Sequence, residues 1–106
     1  MPYRVYILEC SDGSYYTGSA ADVEKRLWQH QEGFMPGAYT FSRRPVKLAW
    51  CSEEVGRYSD ALRYERQIKG WSRAKKMALI KKDFGRIRSL AKRGMKPASS
   101  FETRPL

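Results

Sequence analysis

The chain is 106 residues long, one domain's worth and too short for two separate cores. Hydrophobic residues make up 42%, with three Trp, seven Tyr and four Phe, which argues for a folded chain over a disordered one. Lys and Arg outnumber Asp and Glu by 21 to 11, a net charge of +10, and no apolar run approaches the roughly 18 residues a membrane span needs. Polyanions, nucleic acid above all, are the natural partners of such a balance. A basic but unspecialised surface is the bland alternative. Attraction to anionic lipid ranks below both, because no strongly amphipathic Lys-rich helix stands out.

Residues 3–10 (YRVYILEC) are rich in aromatic and β-branched side chains and read as a strand. No secretory signal precedes them, so the expected location is the cytosol. Ser11-Asp12-Gly13 is turn chemistry, and residues 14–19 (SYYTGS) return as a second strand. The turn length decides which side chains share a face. A two-residue turn would put Tyr6 and Tyr16 on opposite faces; a three-residue loop with Gly13 left-handed pairs Cys10 with Ser14 and puts both tyrosines on one face. The three-residue loop is the expectation.

A helix follows over 21–31, with Gly33 ending it. Val23 and Leu27 form its core side, while Asp22, Arg26 and His30 line the adjacent stripe. Residues 34–45 (FMPGAYTFSRRP) have loop composition, and 46–51 (VKLAWC) resume strand character. Cys10 and Cys51 lie in apolar, strand-like stretches far apart, and are expected to be free buried thiols. Ser59 is the expected N-cap of a helix over 60–70, and Ser72 of a third running to 82. A short basic helix is expected over 85–93, and a mobile tail from 94 to 106. One domain over 1–93 in the order β-β-α-β-α-α predicts an α+β fold: a small antiparallel sheet flanked by helices.

Glu65 is the sharpest chemical clue. It shares a helix stripe with Ala61, Leu62 and Ile68, and a carboxylate on an apolar face needs compensation. Lys69 or an arginine could pair with it; so could a divalent cation, since Mg²⁺ often takes one or two carboxylates and keeps several waters. Tyr6 and Tyr16 would ordinarily be core or half-exposed strand tyrosines. As a base, a phenol of pKa ~10 needs nearby cations or activated water. Arg26 supplies positive charge and bidentate contacts for phosphate oxygens, and His30, the only histidine, lies one turn beyond. Taken singly, Arg26 is a solvated helix arginine and His30 a surface imidazole. Basic residues cluster at Arg43-Arg44, Lys69 with Arg73, Lys75-Lys76 and Lys81-Lys82. Tyr39, Phe41 and Trp71 lie close by and could stack on unpaired bases.

In order and spacing these residues resemble the GIY-YIG nuclease superfamily. Arg4-Val5-Tyr6 and Tyr16-Thr17-Gly18 correspond to its two name-giving motifs, followed by a helix with Arg26 and His30 and a later helix with Glu65. The stretch 61–80 (ALRYERQIKGWSRAKKMALI) is similar to the small single-domain branch labelled UPF0213, and the resemblance spans about residues 3–83. It implies a three-stranded antiparallel sheet and a phosphodiesterase using one divalent metal ion, Mg²⁺ or Mn²⁺, held by Glu65. Tyr6 would then help deprotonate the attacking water, Arg26 would stabilise charge on the phosphate, and Tyr16 and His30 would position water, metal or phosphate. Gly18 would allow close backbone approach. Arg43, Arg44, Lys69, Arg73, Lys75 and Lys76 would bind nucleic acid. The family commonly carries an Asn near the end of its third helix; this chain has none, and reads Lys81-Lys82-Asp83-Phe84 there.

The leading expectation is therefore an endonuclease acting on DNA rather than RNA, directed by structure more than by long sequence. A nucleic-acid-binding module or adaptor without turnover is the rival. A protein partner is compatible with either, and the sequence does not specify an oligomeric state.

Overall fold

The computed structural model describes residues 2–91. The expected tail and the end of the basic helix lie outside the described residues. The elements are β1 (Arg4–Glu9), β2 (Tyr15–Ala20), α1 (Val23–Glu32), β3 (Lys47–Cys51), α2 (Tyr58–Lys69), α3 (Arg73–Ile80) and α4 (Phe84–Ala91), with a 3-10 turn at Phe41–Arg43. They form the α+β arrangement the sequence predicts: an antiparallel sheet in the order β2-β1-β3, with helices packed on it.

The β1–β2 connection settles the register. Cys10 N–H donates to Ser14 O at 2.8 Å, Gly13 N–H to Cys10 O at 2.9 Å, and Gly13 has φ 84°. A left-handed residue at that point suits glycine, which has no Cβ to clash. Tyr6 consequently faces Gly18 across the strands, Leu8 faces Tyr16, and both tyrosines fall on one face as expected.

β1 is the central strand, and its alternation feeds two cores. Val5 and Ile7 point to a cluster completed by Trp50, Ile68, Trp71, Leu79 and Ile87, on the side of α2, α3 and α4. Tyr6, Leu8 and Cys10 point the other way, to Ala20, Val23 and Val46, with Leu27 of α1 packed alongside. β2 is left as the edge strand nearest both α1 and α2, where a side chain from either sheet face can reach around it.

Helix ends depart from expectation in instructive ways. Asp22, which the sequence sets on one stripe with Arg26, is the N-cap of α1, and its Oδ1 accepts from Lys25 N–H at 3.0 Å. α2 starts at Tyr58 after Arg57, whose side chain makes no capping bond, so Ser59 lies inside the helix. Ser72 does cap α3, its hydroxyl accepting from Lys75 N–H at 3.2 Å. Asp83 accepts from Arg86 N–H at 3.0 Å at the start of α4. Cys10 is buried and Cys51 only half-buried; burial pushes both thiols above their ordinary value.

Candidate active site

Tyr6, Tyr16, Gly18, Ser19, Arg26 and Glu65 line one open cavity of about 400 Å³ at the β2 edge. Tyr3, Tyr58 and Leu62 also line it. The phenol of Tyr6 gets there by crossing its strand partner. A Cβ on Gly18 would lie 2.5 Å from the Tyr6 hydroxyl and 2.7 Å from the ring carbon that bears it. Glycine is the side-chain-free gap over which the ring lies.

Tyr6 is only 1% exposed, and burial pushes its hydroxyl far above the ordinary phenol value. Tyr16 adds to this rise, whereas the nearby positive charge of Arg26 opposes it. Tyr6 Oη lies 3.1 Å from Nε2 of His30. His30 is no surface imidazole: it is 2% exposed. It shares the inward stripe of Val23 and Leu27, because positions 23, 27 and 30 are spaced to face one side of a helix. Burial first, and then the charge of Arg26, hold its pKa below the usual histidine value. Nδ1 meets Thr40 Oγ1 at 2.7 Å, and the edge of the ring packs on Tyr16 with centroids 5.2 Å apart.

Glu65 reaches the cavity around the edge strand. Its Oε1 accepts from the Ser19 hydroxyl at 2.6 Å, and its Oε2 pairs with Lys69 Nζ at 2.8 Å. Among the described residues no group of three or more His, Cys, Asp or Glu side chains is set to hold a metal ion. A hard cation nonetheless fits the donor set. One carboxylate, phenol and hydroxyl oxygens and an open cavity match an ion that keeps most of its water. Lys69 occupies the lone pairs such an ion would use. Its side chain is half-exposed, and so has solvent into which to withdraw.

The basic residues divide sharply. Lys75 is a correction: it is 0% exposed, on the same helix stripe as Ala78 and Leu79, with its ammonium 4.3 Å above the Trp71 ring. It offers no charge to a polyanion. Trp71 is likewise core, at 8% exposure, and presents no stacking face. Arg43 fastens the 34–45 loop to the hairpin turn. It bonds Asp12 Oδ2 at 3.1 Å and Tyr39 O at 2.8 Å, and lies 3.7 Å over the Tyr39 ring. Arg44 bonds Phe41 O at 2.9 Å, and Arg73 bonds Gly13 O while lying over the Tyr15 ring. Lys76 is half-buried, and burial with its neighbour Lys69 holds it below the ordinary lysine value. Tyr39 is exposed and stacks on Tyr16, centroids 6.2 Å apart. Asp83, which caps α4, does not line the cavity.

Sequence reasoning missed Thr40 and Ser19. Strand alternation offered a signal for Ser19, two residues beyond Thr17 on the α2 side. Nothing in the loop composition marks Thr40.

Comparison with known proteins supplies the remaining context. Residues 2–78 match the family model described as the GIY-YIG catalytic domain. A UPF0213 protein of Syntrophus aciditrophicus is 52% identical over 79 residues, covering 74% of this chain and 90% of its own. One from Halobacterium salinarum is 47% identical over 79 residues, covering 74% and 99%. The solution NMR structure of the UPF0213 protein BH0048 from Bacillus halodurans is 34% identical, covers 96% of this chain and 92% of its own, and superposes with a TM-score of 0.48.

Proposed function

Since the chain belongs to the GIY-YIG catalytic-domain family and its UPF0213 group, we propose that it is an endonuclease that hydrolyses phosphodiester bonds in DNA with a divalent metal ion, Mg²⁺ or Mn²⁺. The observation that carries this reading is the convergence of Tyr6, Tyr16, Arg26 and Glu65 on one cavity, although they come from four different elements.

Each side chain has a task suited to its surroundings. The Arg26 guanidinium binds the scissile phosphate and offsets the charge that builds on its oxygens. Tyr6 receives the proton of the attacking water, and its contact with His30 gives that proton an onward route. Tyr16, packed on His30 and Tyr39, orients the imidazole and forms a wall of the cavity. Glu65, braced by Ser19, would hold the cation. A divalent ion there supplies Lewis-acid chemistry, acidifying water and neutralising phosphate charge. Gly18 keeps the floor low enough for the Tyr6 phenol to lie where it does.

Exposed Arg44 and Arg73, with half-exposed Lys69, supply a positive surface for the DNA backbone. The catalytic domain over residues 2–78 by itself has little surface for reading long sequences, which favours recognition by DNA structure. One observation favours the rival reading, a binding module or adaptor without turnover: both Glu65 oxygens already have protein partners. Incubation of the purified protein with labelled single-stranded, duplex and branched DNA, with Mg²⁺ or Mn²⁺ and with chelator, separates the two. The nuclease reading expects metal-dependent cutting of at least one of these. Salt-sensitive binding with no cutting under any metal would favour the module.

A further inference from the structure

The loop between α1 and β3 buries a polar side chain to which the nuclease reading gives no task. Thr40 is 1% exposed, and its hydroxyl meets Nδ1 of His30 at 2.7 Å while Nε2 of the same ring meets Tyr6 at 3.1 Å. Phenol, imidazole and hydroxyl form one buried chain leading inward from the cavity. A ring held at both nitrogens has its orientation and tautomer set by those two partners.

Hydrogen counting favours one assignment. The Arg26 guanidinium, which lines the same cavity as Tyr6, can only donate and so favours a lone pair of the phenol oxygen facing it. The phenol's own hydrogen is then free to point at Nε2. Nε2 can accept it only if the ring's hydrogen is on Nδ1, and Thr40 Oγ1 is the acceptor facing Nδ1. We propose that Thr40 is a positioning residue: it accepts the Nδ1 hydrogen and holds neutral His30 in the tautomer whose Nε2 accepts the Tyr6 proton.

The catalytic consequence rests on the nuclease reading. As the water oxygen bonds to phosphorus, the P–O bond to the leaving strand breaks and its alkoxide takes a proton from solvent; the water proton passes to the Tyr6 oxygen while the Tyr6 proton passes to Nε2. One proton has moved from water to His30, Tyr6 ends neutral, and the ring becomes an imidazolium whose Nδ1 hydrogen never left Thr40. No phenolate accumulates, and a phenolate is the species that burial of Tyr6 disfavours. The same ordering task falls to the third member of a nucleophile–base–orienter set.

His30 is the only histidine, so a long-range ¹⁵N–¹H correlation spectrum of labelled protein reads this imidazole without ambiguity. The wild type should carry its hydrogen on Nδ1. Thr40→Ser should retain that tautomer, whereas Thr40→Val, similar in shape but unable to accept, should shift the population toward Nε2–H. Cleavage by Thr40→Val should fall about 10- to 100-fold with DNA binding unchanged, and Thr40→Ser should restore it. A wild-type ring protonated on Nε2, or a folded Thr40→Val with the wild-type tautomer, overturns the proposal. If Thr40→Val does not fold, the wild-type and Thr40→Ser spectra still decide it. Absence of cleavage in the wild type would defeat the nuclease reading alone, because the tautomer is read without turnover.

Discussion

Gly18 lies directly beneath the Tyr6 phenol, with room for a hydrogen but not for a methyl group. An added Cβ would stand 2.5 Å from the hydroxyl and 3.1 Å from the Tyr16 ring. The Tyr6 ring cannot simply swing away, because it is buried and its hydroxyl is tied to His30. Gly18→Ala should therefore displace the phenol, at a cost of about 1–3 kcal/mol of stability from overpacking. If the phenol carries the proton, cleavage should fall roughly 100-fold, the penalty for misplacing a reacting group by about an ångström. Urea unfolding and single-turnover cleavage measure the two effects separately.

Lys69 and a cation compete for the same carboxylate. With Lys69 Nζ 2.8 Å from Glu65 Oε2, binding an ion means breaking that pair, and Lys69→Met removes the competitor. The variant should be stabilised against heat by Mn²⁺ at lower concentration than the wild type. A Glu65→Gln variant should lose the metal-induced shift. Thermal melts across a Mn²⁺ titration read both, with no need for a substrate.

The pH dependence has a definite sign. Burial and then Arg26 hold folded His30 below its ordinary value of 6.5. As pH falls through that value, the unfolded chain takes up a proton that the folded chain refuses. Stability is thus fully present above the unfolded value, and declines as pH drops toward the folded one. His30→Gln, neutral throughout, should show a shallower decline below pH ~6.5. Melting temperature against pH for the two proteins gives the comparison. Cleavage should share the acid limb, since an imidazolium has no lone pair for the Tyr6 proton.

Lys75 should be replaceable only at a cost to the fold and not to DNA affinity. Its aliphatic stem and ammonium are packed on Trp71 inside the core. Lys75→Ala is expected to lose about 2–5 kcal/mol of stability, in the range of large-to-small core substitutions. The slope of DNA affinity against salt should be unchanged. Arg44→Ala, at an exposed position, should instead weaken binding and reduce that slope by about one phosphate contact. Fluorescence anisotropy over a salt series distinguishes these outcomes.

The sequence exposed those parts of the site that local rules govern. Strand alternation together with the expected three-residue loop, Gly13 left-handed, brought Tyr6 and Tyr16 onto one face, and helical spacing was enough to single out Glu65 among Ala61, Leu62 and Ile68. It exposed less wherever the answer depends on what covers a residue. His30 is buried because α1 lies on the Tyr6 face and a loop closes over it, and composition does not carry the path of that loop. Thr40 is hidden in the same way. Lys75 is the opposite case: a charge within a basic run reads as solvated, yet Ser72 caps α3 so that position 75 turns inward with Ala78 and Leu79. Pairing of Glu65 with Lys69 was an open alternative, and it coexists with a place on the cavity wall.

The central claim is that Glu65 and Tyr6 act on a phosphodiester in one cavity, and its most direct test is the cleavage rate of labelled DNA in Mg²⁺ or Mn²⁺ by wild type, Glu65→Gln and Tyr6→Phe. DNA affinity of each is measured in parallel. The account predicts that the wild type cuts, and that both variants lose at least about 100-fold in rate while binding DNA as tightly as the wild type. Cutting that survives Glu65→Gln and Tyr6→Phe at the wild-type rate would contradict it.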